Sequence, residues 1–124
     1  MDGLDASLFS DFTALKSRNG NVKATISLGG WTFTDNGTIT QPVFSSMVSS
    51  SSNRQKFITN LFAFLLHFGF DGVDFDWEYP GAPDRGGQKE DGVNYTEFLK
   101  ELQTAIAGQP KKYEVSFTAP TSYW

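Results

Sequence analysis

The chain has 124 residues, enough for one domain. With 39% apolar and 15% aromatic residues it forms a core rather than a disordered coil. A net charge of −4 argues against nucleic acid and anionic membrane surfaces, and the absence of cysteine excludes disulfides and thiolate zinc sites. Leu4, Leu8, Phe12 and Leu15 recur at helical spacing, predicting a helix over 4–18 that Asn19-Gly20-Asn21 ends. Residues 22–28 alternate as a strand, broken by Gly29-Gly30, and a polar loop runs from Thr32 to Gln41. A short helical turn is expected within 42–50. Ser52 is expected to cap the next helix, with Gln55 completing a capping box. Its apolar stripe is Phe57, Leu61, Phe64, Leu65 and Phe68, and Gly69 suits its end.

A strand is expected over 70–79. Pro80 to Gly92 is a Gly-, Pro- and charge-rich loop, and the last helix is expected to start near Asn94 and stop at Gly108. Tyr113 to Ala119 alternates as a third strand, ended by Pro120. Strands alternating with helices predict an α/β fold with a parallel sheet. No apolar run reaches the ~18 residues of a transmembrane helix, and no signal peptide is evident at the start. Asn36-Gly37-Thr38 and Asn94-Tyr95-Thr96 match the glycosylation acceptor pattern, a weak sign of secretion.

The chemistry concentrates in the stretch Asp71-Gly72-Val73-Asp74-Phe75-Asp76-Trp77-Glu78-Tyr79-Pro80. On a strand, alternate side chains share a face, so Asp74, Asp76 and Glu78 would line one side and Val73, Phe75 and Trp77 the other. Carboxylates crowded on one face repel, which favours a retained proton among them, and a general acid needs one. Glu78 would stand nearest the C-terminal end of the strand. Ser27, on the neighbouring strand, is placed to hydrogen-bond the acidic cluster. Asp71 before Gly72 reads as a turn residue. Trp77 points away from the acids, into the core. Trp31, Trp124 and Tyr79 are candidate ligand platforms or core residues. His67, in a last helical turn, reads as an ordinary polar contact. Three acids also suit a divalent cation, but an extended strand lacks the turn and extra oxygen donors of a calcium loop. No metal and no cofactor are expected.

The segments Ser27-Leu28-Gly29-Gly30-Trp31 and Asp71–Pro80 resemble the two signatures of glycoside hydrolase family 18 chitinases, Ser-x-Gly-Gly and Asp-Gly-x-Asp-x-Asp-x-Glu. Arg85-Gly86-Gly87 followed by Asn94-Tyr95 is similar to the fungal branch of that family. The resemblance spans residues 1–124 and implies a partial (β/α)8 barrel, holding about its third to fifth strands, because such barrels typically need ~250 residues. The remaining barrel strands would be missing, along with a tyrosine and a tryptophan that they supply to the family's site. The implied activity is retaining, substrate-assisted cleavage of β-1,4-linked N-acetylglucosamine polymers, chitin or its oligosaccharides. Glu78 would be the proton donor, Asp76 would orient the acetamido group, and Asp74 would support Asp76. Ser27, Gly29 and Gly30 would support the site. The isolated chain is expected to be an incomplete, weakly active or inactive piece of a secreted, extracellular protein. The competing reading is a non-catalytic, lectin-like relative that binds chitin.

Overall fold

A computed structural model describes residues 5–121. Helix α1 (Ser7–Ala14) continues as a 3-10 turn over Leu15–Ser17, so the predicted helix over 4–18 is broken in its last turn. Strand β1 (Thr25–Gly29) is followed by a 3-10 turn, Trp31–Thr34, inside the expected loop. Then come α2 (Val43–Val48), α3 (Ser51–Phe68), β2 (Gly72–Asp76), α4 (Asp91–Ala107) and β3 (Glu114–Phe117). The strands form one parallel sheet in the order β1-β2-β3. Helices intervene between successive strands, as the alternating pattern requires.

The two faces of the sheet differ in chemistry. Ile26 and Leu28 of β1, Val73 and Phe75 of β2, and Val115 of β3 join the core against the helices. The α3 stripe supplies Ile58, Leu61 and Leu65, and α4 supplies Tyr95, Phe98, Leu102 and Ile106. Trp77 is 3% exposed and stacks on Phe44 with ring centroids 5.2 Å apart. Full burial of an aromatic ring such as Phe75 contributes about 1.5–3 kcal/mol, so this layer dominates the stability. The opposite face carries Ser27, Asp74, Asp76 and Ser116 and is open, with both carboxylates half-buried.

Local expectations shift where long-range contacts intervene. The cap of α3 is Ser50, in extended conformation, accepting from the Asn53 N–H; it is not Ser52. The chain bends sharply between α2 and α3, and the Asn53 side chain reaches back to the Ser46 carbonyl, which selects the earlier serine. Gly69 ends α3 with φ 77°, the left-handed conformation glycine adopts freely, and the Phe70 N–H closes onto the Leu65 carbonyl. Helix α4 starts at Asp91, three residues before the expected Asn94. The Asp91 carboxylate is 2% exposed and accepts from Ser45, Gln88 and Gly81, pinning the preceding loop to the helix start.

Asp71 lies in the bend between α3 and β2, as a turn residue would, but it does more: it is 7% exposed and accepts from the Ala24 N–H at 2.9 Å. Lys16 and Lys111 each pair with it at 2.8 Å. Burial opposes its charge, yet the Ala24 N–H and the two ammonium groups outweigh burial and hold its carboxyl well below the usual range. It ties the entries of β1 and β2 to the 3-10 turn after α1 and to the turn before β3. His67 is exposed and packs edge-on against Phe68.

Candidate active site

The register of the sheet builds the site row by row. Ser27 pairs with Asp74, and Asp74 pairs with Ser116. Paired residues of adjacent strands point to the same side, so one carboxylate lies between two hydroxyls. Ser27 Oγ donates to Asp74 Oδ2 at 2.8 Å, and Ser116 Oγ donates to Asp74 Oδ1 at 2.6 Å. One row further along, Gly29 pairs with Asp76. Thr118, just past β3, donates its hydroxyl to Asp76 Oδ1 at 2.5 Å. Ser116 and Thr118 escaped the sequence reading, although both lie on the alternation of the third strand, and only the register brings them to the acids.

Gly29 and Gly30 make room for this second row. Gly29 has φ 120°, and a Cβ there would stand 2.2 Å from the Asp76 carbonyl oxygen. No side chain fits so close an approach of two backbones. The Gly30 N–H donates to that same carbonyl at 2.8 Å. A Cβ on Gly30 would face Asp76 Oδ2 at 3.7 Å, so the glycine pair keeps one flank of the carboxylate clear.

Glu78 is not on the strand, which ends at Asp76. The ladder stops because β1 runs out of partners at Gly29 and β3 at Phe117. Glu78 is half-buried just beyond the C-terminal end of β2, and its peptide bond to Tyr79 is cis. Its placement is set by contacts to its carbonyl oxygen: Thr34 Oγ1 donates to it at 2.7 Å, and so does Arg85 Nε at 2.7 Å. Burial first, then hydrogen bonding to Glu78 and the nearby negative charges, raise the Tyr79 phenol above its ordinary value, so it stays a donor.

Trp31 is 51% exposed at the rim of the same face, and the Arg85 guanidinium carbon sits 3.7 Å over its ring. Arg85, 8% exposed, is the other residue the sequence reading passed over, noted only within a family-like loop. Trp124 lies outside the described residues. Among the described residues, no group of three or more His, Cys, Asp or Glu is arranged to hold a metal ion. No helix among them is long and apolar enough to cross a membrane.

The arrangement suits acid–base work on a ligand lying across the strand ends. Three carboxylates step toward the C-terminal end of β2, the two aspartates held by hydroxyl donors, beside an aromatic platform. The profile of Glycosyl hydrolases family 18 matches residues 2–124. An endochitinase of Manduca sexta is 36% identical over 117 residues, covering 94% of this chain. Chitotriosidase-1 of Mus musculus is 39% identical, covering 82% of this chain. This chain spans 20% of the length of each of these relatives. The crystal structure of a Group IV chitinase of Ostrinia furnacalis in complex with allosamidin superposes with a TM-score of 0.75 at 32% identity. That match covers 90% of this chain and 28% of the chitinase. The parallel sheet, its strand-end carboxylates and these matches agree, and the chain belongs to glycosyl hydrolase family 18.

Proposed function

We propose that this chain carries the acid–base half of a chitinase site. The observation that supports this most is the succession of Asp74, Asp76 and Glu78 toward the C-terminal end of β2, where barrel active sites open. The substrate is a β-1,4-linked N-acetylglucosamine polymer or oligosaccharide. Glu78 gives its proton to the glycosidic oxygen as the bond from that oxygen to the anomeric carbon breaks. The carbonyl oxygen of the sugar's own acetamido group attacks the anomeric carbon, forming an oxazolinium ring. This is one of the exceptions to the two-carboxylate scheme of glycosidases.

Asp76 accepts from the acetamido N–H and offsets the positive charge that develops on the ring. Asp74, held by Ser27 and Ser116, supports Asp76 from the row below. Water then attacks the anomeric carbon as the bond from that carbon to the acetamido oxygen breaks, reopening the ring, and passes a proton to the Glu78 carboxylate; this restores the acid, and the second displacement retains the anomeric configuration. Trp31 and Tyr79 border the sugar. Extracellular action fits this substrate, which lies outside cells and in cell walls.

The test compares the purified chain with the same chain substituted into the matching segment of a family 18 chitinase, which supplies the remaining barrel strands. The completed barrel hydrolyses N-acetylglucosamine oligomers with initial release of the β-anomer, read by NMR. Glu78→Gln lowers turnover at least about 100-fold, the low end of the usual contribution of acid–base catalysis, while sugar affinity holds. Tight binding without turnover in the completed barrel would overturn the enzyme reading in favour of a chitin-binding protein.

A further inference from the structure

We propose that Arg85 is the positioning residue that aims Glu78 and fixes the plane of Trp31. The inference rests on the reading of Glu78 as proton donor and of Trp31 as a sugar platform. Beyond Asp76 the backbone leaves the sheet, so no ladder hydrogen bond sets where Glu78 points. The Glu78 carbonyl is held instead by two donors, Thr34 Oγ1 and Arg85 Nε, each at 2.7 Å. Arg85 also orders its co-donor, with Nη2 donating to Thr34 Oγ1 at 3.1 Å.

The same guanidinium grips the Trp31 turn. Its Nη2 donates to the Trp31 carbonyl and pairs with Asp35 Oδ1 at 3.1 Å. Its central carbon sits over one side of the indole, 3.7 Å from the ring centroid, while the ring stays half-exposed. One buried group therefore joins the two parts that must meet a sugar together: the acid after β2 and the platform after β1.

Only arginine has the required shape. Its flat fork reaches two carbonyls, a hydroxyl and a carboxylate in different directions while stacking on an aromatic ring. A lysine ammonium supplies charge without the fork or the plane. A displacement of about 1 Å at a catalytic group can lower the rate on the order of 100-fold. The Trp31 contact predicts a smaller loss in sugar affinity.

The experiment has two arms. In the purified chain, the Arg85 Nε–H is followed by NMR. It is expected to exchange slowly and to resonate upfield under the indole ring current, and Trp31→Ala is expected to remove that shift. A fast-exchanging, unshifted signal overturns the inference without any appeal to turnover. In the completed barrel, kcat and KM are measured on a tetramer of β-1,4-linked N-acetylglucosamine. Arg85→Lys is expected to lower kcat about 10- to 100-fold per folded molecule, with KM rising only a few-fold.

Arg54→Lys, which loosens the Arg54–Glu101 pair between α3 and α4, serves as the control. It is expected to lower the melting temperature and leave kcat alone. If Arg85→Lys behaves like that control, its role is structural and the inference fails. If Glu78→Gln keeps wild-type turnover, the proposed function fails instead, and the two failures are distinct.

Discussion

Replacing Asp71 with asparagine tests whether a buried charge at the foot of the sheet stabilises this fold. The carboxylate makes one bond to a buried backbone donor, Ala24 N–H, and two ion pairs, to Lys16 and Lys111. The lysine side chains are 26% and 40% exposed, so each pair is worth about 1 kcal/mol or less. Asparagine keeps an oxygen for Ala24 but turns an amide N–H₂ toward one ammonium, so the expected loss at pH 7 is about 2 kcal/mol. Alanine also orphans the Ala24 donor, which adds about 1–3 kcal/mol.

The dependence on pH carries the decisive sign. The folded-state carboxyl is held well below its unfolded value, so its contribution is complete above about pH 5. It is lost as pH falls below about 3.9, toward the folded value, because there the unfolded state binds a proton that the folded state does not. Urea unfolding followed by circular dichroism at pH 7, 5 and 3 reads the gap between wild type and Asp71→Asn. The gap should be equal at pH 7 and 5, then shrink by about 1.4 kcal/mol per pH unit below about pH 4. A gap of the same size at pH 3 as at pH 5 would refute the charge argument and leave only a shape effect.

Other outcomes follow from the same contacts. Gly29→Ala forces a Cβ into the Asp76 carbonyl at an unfavourable positive φ, so it should lower stability by more than about 2 kcal/mol in urea titrations. Tyr95→Phe should be neutral or stabilising by about 1 kcal/mol. The Tyr95 hydroxyl is buried with no hydrogen-bond partner among the described residues, and losing an unsatisfied group relieves its desolvation. A measured loss above about 1 kcal/mol would mean that the hydroxyl has a partner. Ser27→Ala combined with Ser116→Ala strips both donors from Asp74. In a completed barrel this pair should lower kcat about 10-fold or more while moving the melting temperature by only a few degrees. Turnover should also survive a strong chelator, since the proposed chemistry uses no metal; activity lost to EDTA and restored by a divalent cation would contradict it.

The element types and the two-sided character of β2 were legible because they follow from local periodicity. A period of two puts Asp74 and Asp76 on one face and Phe75 on the other, whatever the rest of the chain does. Helical spacing marks the buried stripes of α3 and α4 in the same way, and Gly69 and the Gly29-Gly30 pair announce backbone that other residues resist. The motif spacing likewise carried the family. None of these properties needs a partner distant in sequence.

Folding alone settled everything that depends on such partners. Strand periodicity carried Glu78 too far, because the strand ends where its neighbours stop pairing, and Thr34 and Arg85 then hold it in place. Asp71 reads as a turn until Ala24, Lys16 and Lys111 converge on it. Ser116 and Thr118 are ordinary strand residues until the register sets them beside the acids. Hydrogen bonds between residues some forty to fifty-five positions apart leave no periodic trace in a single sequence. Periodicity therefore names the acids, while register and long-range polar contacts determine how they are held.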